Sequence, residues 1–290
     1  MKQLIDYYPT RKDSKPSLLE RKDPTVYETS LTQSEIGFEE LSFYDKNGFL
    51  FLESFFSNEE VNQFKTETRR LLAEAKGSKR PEVILEPESE EVRSVFAVHR
   101  DDMFFNQLSN SPRLLAVVKQ ILGSDVYIHQ SRINFKPGFT GKEFYWHSDF
   151  ETWHAEDGMP RMRALSCSIA LEDNTVFNGS LMVIPGSHQC YISCVGETPD
   201  NHYLDSLRRQ EYGVPDQQSL TKLVQQNGIE MPTGKAGSVL IFDCNLMHGS
   251  GSNISPFPRS NVFFVYNSVE NRLEKPFSSH VARPNYIATR

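Results

Sequence analysis

His147, Asp149 and His248 are the residues whose types and spacing could do chemistry in this chain of 290 residues. On an extended strand alternate side chains share a face. His147 and Asp149 in FYWHSDFETWH (144–154) can therefore offer an imidazole nitrogen and a carboxylate oxygen to one metal ion. By itself an H-x-D pair arises often by chance; what it needs is a second imidazole from a distant strand. Of His129, His154, His188, His202, His248 and His280, His248 is the best placed, since it follows the strand-like run SVLIFDCNLM and precedes the flexible Gly249-Ser250-Gly251. His188 ends PGSH, where a tight turn accounts for it, and His202 lies in a polar stretch and is expected to be solvated. Two histidines and one carboxylate on one side of a metal, with other positions open, suit a non-haem Fe(II) oxygenase. The same three ligands around a bound water would suit a zinc hydrolase, and a cupin-like barrel that only binds a ligand is a third reading.

An oxygenase that uses 2-oxoglutarate also needs a cation for the far carboxylate of that cosubstrate. Arg259, in SPFPRSNVFFV, follows His248 closely enough to stand on the next strand, and a guanidinium holds a carboxylate through two parallel hydrogen bonds. In VYIHQSRINFK, Gln130, Arg132, Asn134 and Lys136 alternate along one face of one strand. Such a face is either the solvent side of a half-buried sheet or the polar lining of a ligand-holding barrel. In the second case Lys136 or Asn134 would assist with 2-oxoglutarate, and Gln130 and Arg132 with the substrate. Lys136 and Arg259 argue against the hydrolase, which has no dicarboxylate to hold.

These residues need strands to position them, and the chain supplies strands late. Residues 1–35, broken by Pro9, Pro16 and Pro24, read as an irregular arm packed on the body. A turn at Asn47-Gly48 leads into a short strand. Ser57 and Glu60 have capping-box spacing ahead of Val61, Phe64, Leu71, Leu72 and Ala75, which recur with helical period. A second helix runs from Ser111-Pro112 to Gly123, with Leu114, Leu115, Val118, Ile121 and Leu122 on one side. After Gly123 come strand-like runs at 126–136, 144–150, 163–171, 180–184, 238–243 and 261–266. The pattern predicts an α+β chain, mainly β at its core, with one domain over 36–290. A lid-like insertion spans about 190–235, with a short helix over Tyr203 to Arg209.

Composition narrows the class. A net charge of −7 and a pI near 5.7 exclude the basic footprint of a nucleic-acid binder. No stretch is apolar enough to span a membrane, and MKQLIDYYPTRKD has no signal-peptide core. Cys167, Cys190, Cys194 and Cys244 form no C-x-x-C pair and read as reduced thiols of a cytoplasmic protein.

With these residues in view, the sequence resembles the phytanoyl-CoA dioxygenase-like superfamily of Fe(II)/2-oxoglutarate oxygenases, and within it the ectoine hydroxylases. FYWHSDFETWHAEDGMPRMRALS (144–166) resembles the ectoine hydroxylase signature nearly throughout. NGSLMVIPGSH (178–188) is similar to the superfamily's strand-turn motif, and FDCNLMHGSGSNISPFPRSN (242–261) to its distal segment. The likeness runs from about residue 38 to near the C-terminus.

It implies a double-stranded β-helix, or jelly roll, flanked by helices. The activity it implies is hydroxylation of the compatible solute ectoine to 5-hydroxyectoine, in osmotic stress, by a cytoplasmic homodimer using Fe(II), 2-oxoglutarate and O₂. Residue by residue, the resemblance puts iron on His147, Asp149 and His248. It puts 2-oxoglutarate on Lys136, Asn134, Phe144, Ser168, Ser250 and Arg259, and ectoine on Gln130, Arg132, Thr152, Trp153 and Phe263. The delocalised cation of ectoine would rest on the indole of Trp153 with Phe263 opposite. Trp146, of the other strand parity, would pack behind the metal strand.

Overall fold

The computed structural model describes residues 5–28, 36–86, 89, 91–208 and 212–290. In chain order its elements begin with β1 (Ser17–Glu20), α1 (Phe38–Asn47), β2 (Phe49–Leu52), α2 (Asn58–Ala75), β3 (Val83–Leu85) and β4 (Val92–Phe96). Then come α3 (Val98–Asp101), α4 (Met103–Ser109), α5 (Pro112–Leu122), β5 (Val126–Lys136), β6 (Phe144–His147) and α6 (Asp149–Thr152). The rest comprises β7 (Ala164–Ala170), β8 (Leu181–Val183), β9 (Cys190–Ser193), α7 (Tyr203–Ser206), α8 (Gln217–Asn227), β10 (Val239–Asp243), β11 (His248–Ser250) and β12 (Arg259–Ser268).

Seven strands form one antiparallel sheet in the order β2-β10-β7-β12-β5-β4-β3. A smaller sheet, β6-β11-β8, packs on it through Val183 against Phe49, Leu240, Phe242 and Phe263. This is the double-stranded β-helix expected from the sequence, flanked by helices, but the two sheets share no ladder. The barrel is open, because the minor strands turn away after three or four residues.

Alternation along the large sheet separates core from cavity. Ile133 and Phe135 of β5, Cys167 and Ile169 of β7, and Val262 and Phe264 of β12 point outward into a core closed by α1, α2, α4 and α5. Their neighbours one residue away point inward. The helices form as their end signals require. Ser57 and Glu60 close the capping box on α2, and Gly123, at φ 57°, ends α5 in the left-handed region. On α5 the buried stripe uses Val117 in place of Leu115, which is only partly covered.

Three expectations change. The strand read over 144–150 stops at His147, and the chain turns through Ser148 into α6 and a π-helical turn at Trp153–Asp157. The arm is not irregular throughout: β1 pairs antiparallel with β9. The insertion at 190–235 is partly built into the fold. Leu220, Leu223 and Val224 of α8 pack with Trp146, Ile184, Ile192 and Met247 on the outer side of the small sheet. That contact also gives Trp146 the packing role read from its parity. The helix expected over Tyr203–Arg209 is described only as Tyr203–Ser206, and Arg209 lies outside the described residues.

Candidate metal and cosubstrate site

β6 and β11 run antiparallel with His147 directly opposite His248, and the two imidazole centroids stand 4.3 Å apart. Each ring turns its Nδ1 to a main-chain carbonyl, Tyr145 O at 2.6 Å and Leu246 O at 2.9 Å. A proton on Nδ1 satisfies both contacts and leaves each Nε2 lone pair free for a metal. The two Nε2 atoms lie 3.6 and 3.9 Å from Asp149 carboxylate oxygens, and one ligand atom from each residue fits within 4.8 Å of the others.

Ser166 Oγ donates to Asp149 Oδ2 at 3.3 Å. Burial opposes ionisation of Asp149, yet the imidazoles of His248 and His147 hold its carboxyl below the usual carboxylate range. Burial, with His147 adding to it, pushes His248 down to about 4. Asp149 and His248 therefore offer lone pairs at neutral pH, as metal binding requires. This mixed nitrogen and oxygen donor set fits Fe(II).

β5 and β12 deliver the remaining candidates as cross-strand pairs on the inner face. Arg259 stands opposite Lys136, Asn261 opposite Asn134 and Phe263 opposite Arg132, while Ser168 of β7 faces Phe263 from the other side. Lys136 is almost fully buried, and its Nζ donates to Ser250 Oγ at 2.7 Å and Gly251 O at 2.6 Å. Burial first, then Arg259 and Arg93, pushes its ammonium down to about 6. Arg259 is buried too. Its Nε has no hydrogen-bond partner among the described residues, and burial pushes its guanidinium down to about 10.

Asn134 Oδ1 accepts from Ser94 Oγ at 2.8 Å, and Asn261 Nδ2 donates to Ser168 Oγ at 3.1 Å. The Phe144 ring lies 3.8 Å from the Arg93 guanidinium and 5.3 Å from Lys136 Nζ.

A cavity of about 680 Å³ opens in front of this face. Gln130, Arg132, Asn134, Phe144, His147, Asp149, Thr152 and Trp153 all line it, so the solvent-face reading of the alternating polar strand is excluded. Phe263 is not among the residues that line the cavity. It lies under the Arg132 guanidinium, 5.1 Å from the ring centroid, because its register partner is Arg132. Arg132 in turn donates to Gln130 Oε1. His202 is another departure: it is buried against Tyr212 and lines the cavity, because the insertion folds back over the opening.

Sequence reasoning missed Asn261, Glu156 and Arg283. Asn261 shares the parity of Arg259 and Phe263 and was within reach of the alternation rule. Glu156 and Arg283 line the cavity from a π-helical turn and a segment near the chain's end. No local pattern marks them.

An open double-stranded β-helix with a His-Asp-His cluster at its mouth defines a non-haem iron oxygenase. The phytanoyl-CoA dioxygenase (PhyH) family matches residues 44–261, and the chain belongs to that family. It is 52% identical to the ectoine dioxygenase of Sphingopyxis alaskensis over 98% of this chain and 93% of that protein. With the ectoine dioxygenase of Bordetella bronchiseptica the identity is 54%, over 98% and 92%. The likeness to ectoine hydroxylases read from residues 144–166 is thus borne out.

Among solved structures, EctD from S. alaskensis with 2-oxoglutarate and 5-hydroxyectoine superposes with a TM-score of 0.90 at 46% identity, covering 99% of this chain and 95% of that one. EctD from the same source with bound Fe superposes with a TM-score of 0.88 at 46% identity, covering 98% and 94%.

Proposed function

We propose that this chain is an Fe(II)- and 2-oxoglutarate-dependent dioxygenase that hydroxylates ectoine to 5-hydroxyectoine, consuming O₂ and releasing succinate and CO₂. The observation that carries the reading is the buried pair Lys136 and Arg259, two basic side chains facing each other across β5 and β12, neither in an ion pair among the described residues. A dicarboxylate cosubstrate supplies the missing anion; a zinc hydrolase would have no use for it. Full-length relatives called ectoine dioxygenase support the choice of substrate.

In this reading His147, Asp149 and His248 hold the iron. The chemistry an Fe(II) ion supplies in such a centre is the activation of O₂ together with oxidative decarboxylation of the cosubstrate. The side chains do the rest. Arg259 and Lys136 take the far carboxylate of 2-oxoglutarate, with Ser250, Ser168 and Asn134 as neighbouring hydrogen-bonding groups and Phe144 as an apolar wall. Arg132, held by Gln130, takes the carboxylate of ectoine. Trp153 and Thr152 form the wall for the amidinium ring, and Phe263 supports Arg132 from beneath. Residues 194–208, lining the cavity with His202, Ser206, Leu207 and Arg208, serve with Tyr212 as the lid that excludes water.

No described helix is long and apolar enough to cross a membrane, and all four cysteines are free. A cytoplasmic enzyme acting in osmotic stress is the setting that a compatible-solute substrate implies. A homodimer is in keeping with the exposed rings of Phe177 and Phe257, 5.8 Å apart, and light scattering on the purified chain tests it.

The decisive experiment is an anaerobically reconstituted Fe(II) assay with 2-oxoglutarate and O₂, with and without ectoine. Succinate formed one-for-one with singly hydroxylated ectoine is the expected result. Succinate with no hydroxylated ectoine would keep the oxygenase and discard the substrate.

A further inference from the structure

Arg11 of the arm is buried, with its backbone at φ 53° in the left-handed region that non-glycine residues enter at a cost. Its side chain explains why the fold holds it there. Nε and Nη2 donate to the two oxygens of Glu151 at 2.9 and 2.7 Å, and Nη1 donates to Glu156 Oε1 at 2.7 Å and Thr198 Oγ1 at 3.0 Å. Thr10 adds a hydrogen bond from Oγ1 to Glu151 Oε1 at 2.7 Å, and the Arg11 N–H donates to Cys194 O at 2.8 Å.

Glu151 sits on α6 between the metal ligand Asp149 and the wall residue Trp153, and Glu156 lines the cavity. Thr198 and Cys194 belong to the stretch that covers the cavity. Gly213, at φ 69°, passes so close that a Cβ there would collide with Glu151 Oε2 and Arg11 Nη2. One buried guanidinium thus ties together the metal-ligand helix, the substrate wall and the cover.

We propose that Arg11 is a positioning residue. Its planar fork sets α6 and clasps the 194–208 stretch closed, so that consumption of cosubstrate stays coupled to hydroxylation of substrate. The proposal rests on the dioxygenase reading above and goes beyond it, because Arg11 is assigned no contact with iron, cosubstrate or substrate. Arginine suits the task because five donors in one plane can serve two carboxylates and a hydroxyl at once, which an ammonium cannot reproduce.

Two variants test it. Arg11→Lys keeps the charge and loses the fork, while Thr198→Val leaves the ion pairs intact and removes only the side-chain hydrogen bond to the cover. In metal-free protein, tryptic cleavage at Arg208, exposed within the cover, should quicken by about 10-fold in both variants, the effect of losing a hydrogen bond to a charged group. In the iron-loaded enzyme Arg11→Lys should raise KM for ectoine by about 10-fold and leave KM for 2-oxoglutarate within about twofold. Succinate should then exceed hydroxylated product.

A folded Arg11→Lys enzyme with wild-type cleavage and one-for-one stoichiometry would overturn the proposal. So would equal losses toward cosubstrate and substrate, which mark general loosening. Should the wild-type enzyme form no hydroxylated ectoine, the substrate reading fails, and cleavage of the metal-free variants still decides the clasp.

Discussion

The two ends of the candidate site treat buried ionisable groups in opposite ways. At one end Lys136 and Arg259 face each other across β5 and β12, neither in an ion pair among the described residues. At the other, Glu151, Glu156 and Asp157 stand within one short helical stretch and each meets a guanidinium. Arg11 serves Glu151 and Glu156, while Arg283 grips Asp157 at 2.8 and 2.6 Å. An unpaired charge taken out of water costs several kcal/mol, and a partner with good geometry offsets much of that. The acidic end is therefore architecture, complete without a ligand. The basic end is incomplete, and what it lacks has the charge of a dicarboxylate.

The largest effect should come from the metal cluster between the two ends. His248→Ala should abolish stoichiometric iron binding and lower turnover by about 10³-fold or more, read by metal analysis and succinate formation. The contrast itself is tested next. Arg259→Met should lower kcat/KM for 2-oxoglutarate by about 10²-fold yet leave Tm unchanged or raised, since it removes an unpaired buried charge. Asp157→Asn, which leaves Arg283 only the more distant Glu156 at 3.9 Å, should do the reverse, lowering Tm by roughly 5–10 °C with KM for 2-oxoglutarate within about twofold. Equal loss of Tm in both would erase the distinction between the ends.

A third test sharpens the basic end. With its ammonium pushed down to about 6, Lys136 is mostly neutral in the free protein at about pH 8, and a carboxylate beside it draws the proton back. Binding of 2-oxoglutarate should then take up close to one proton there, and affinity should fall as pH rises above about 6. Calorimetry in buffers of different ionisation enthalpy measures this, and zero uptake would remove Lys136 from the site.

The smallest effect separates the two tryptophans. Trp153→Ala should raise KM for ectoine by roughly 10-fold, as loss of a cation–aromatic wall would. Trp146→Phe, on the outer side of the small sheet, should cost only about 2 °C of Tm and leave KM unchanged.

How far the site could be read from sequence depended on how each residue is placed. Gln130, Arg132, Asn134, Lys136, Arg259 and Phe263 were legible because strand alternation is a local rule and β5 and β12 obey it. Asn261 obeys the same rule and was overlooked. Asp149 reached the correct side for a different reason, since the strand ends at His147 and the helical turn that follows carries the carboxylate to the imidazoles. Glu156 and Arg283 were not legible at all. A glutamate and an arginine are ordinary surface residues until the fold buries them together.

The chain alone therefore determined the His-Asp-His cluster, the polar inner face, the helix ends and the family, because spacing, capping and alternation act over a few residues at a time. Only the tertiary structure decided that the barrel stays open, that Phe263 lies under Arg132, and that Arg11 meets Glu151 across 140 residues of chain. Those outcomes depend on which buried charges find partners once distant segments are packed, and no local pattern carries that information.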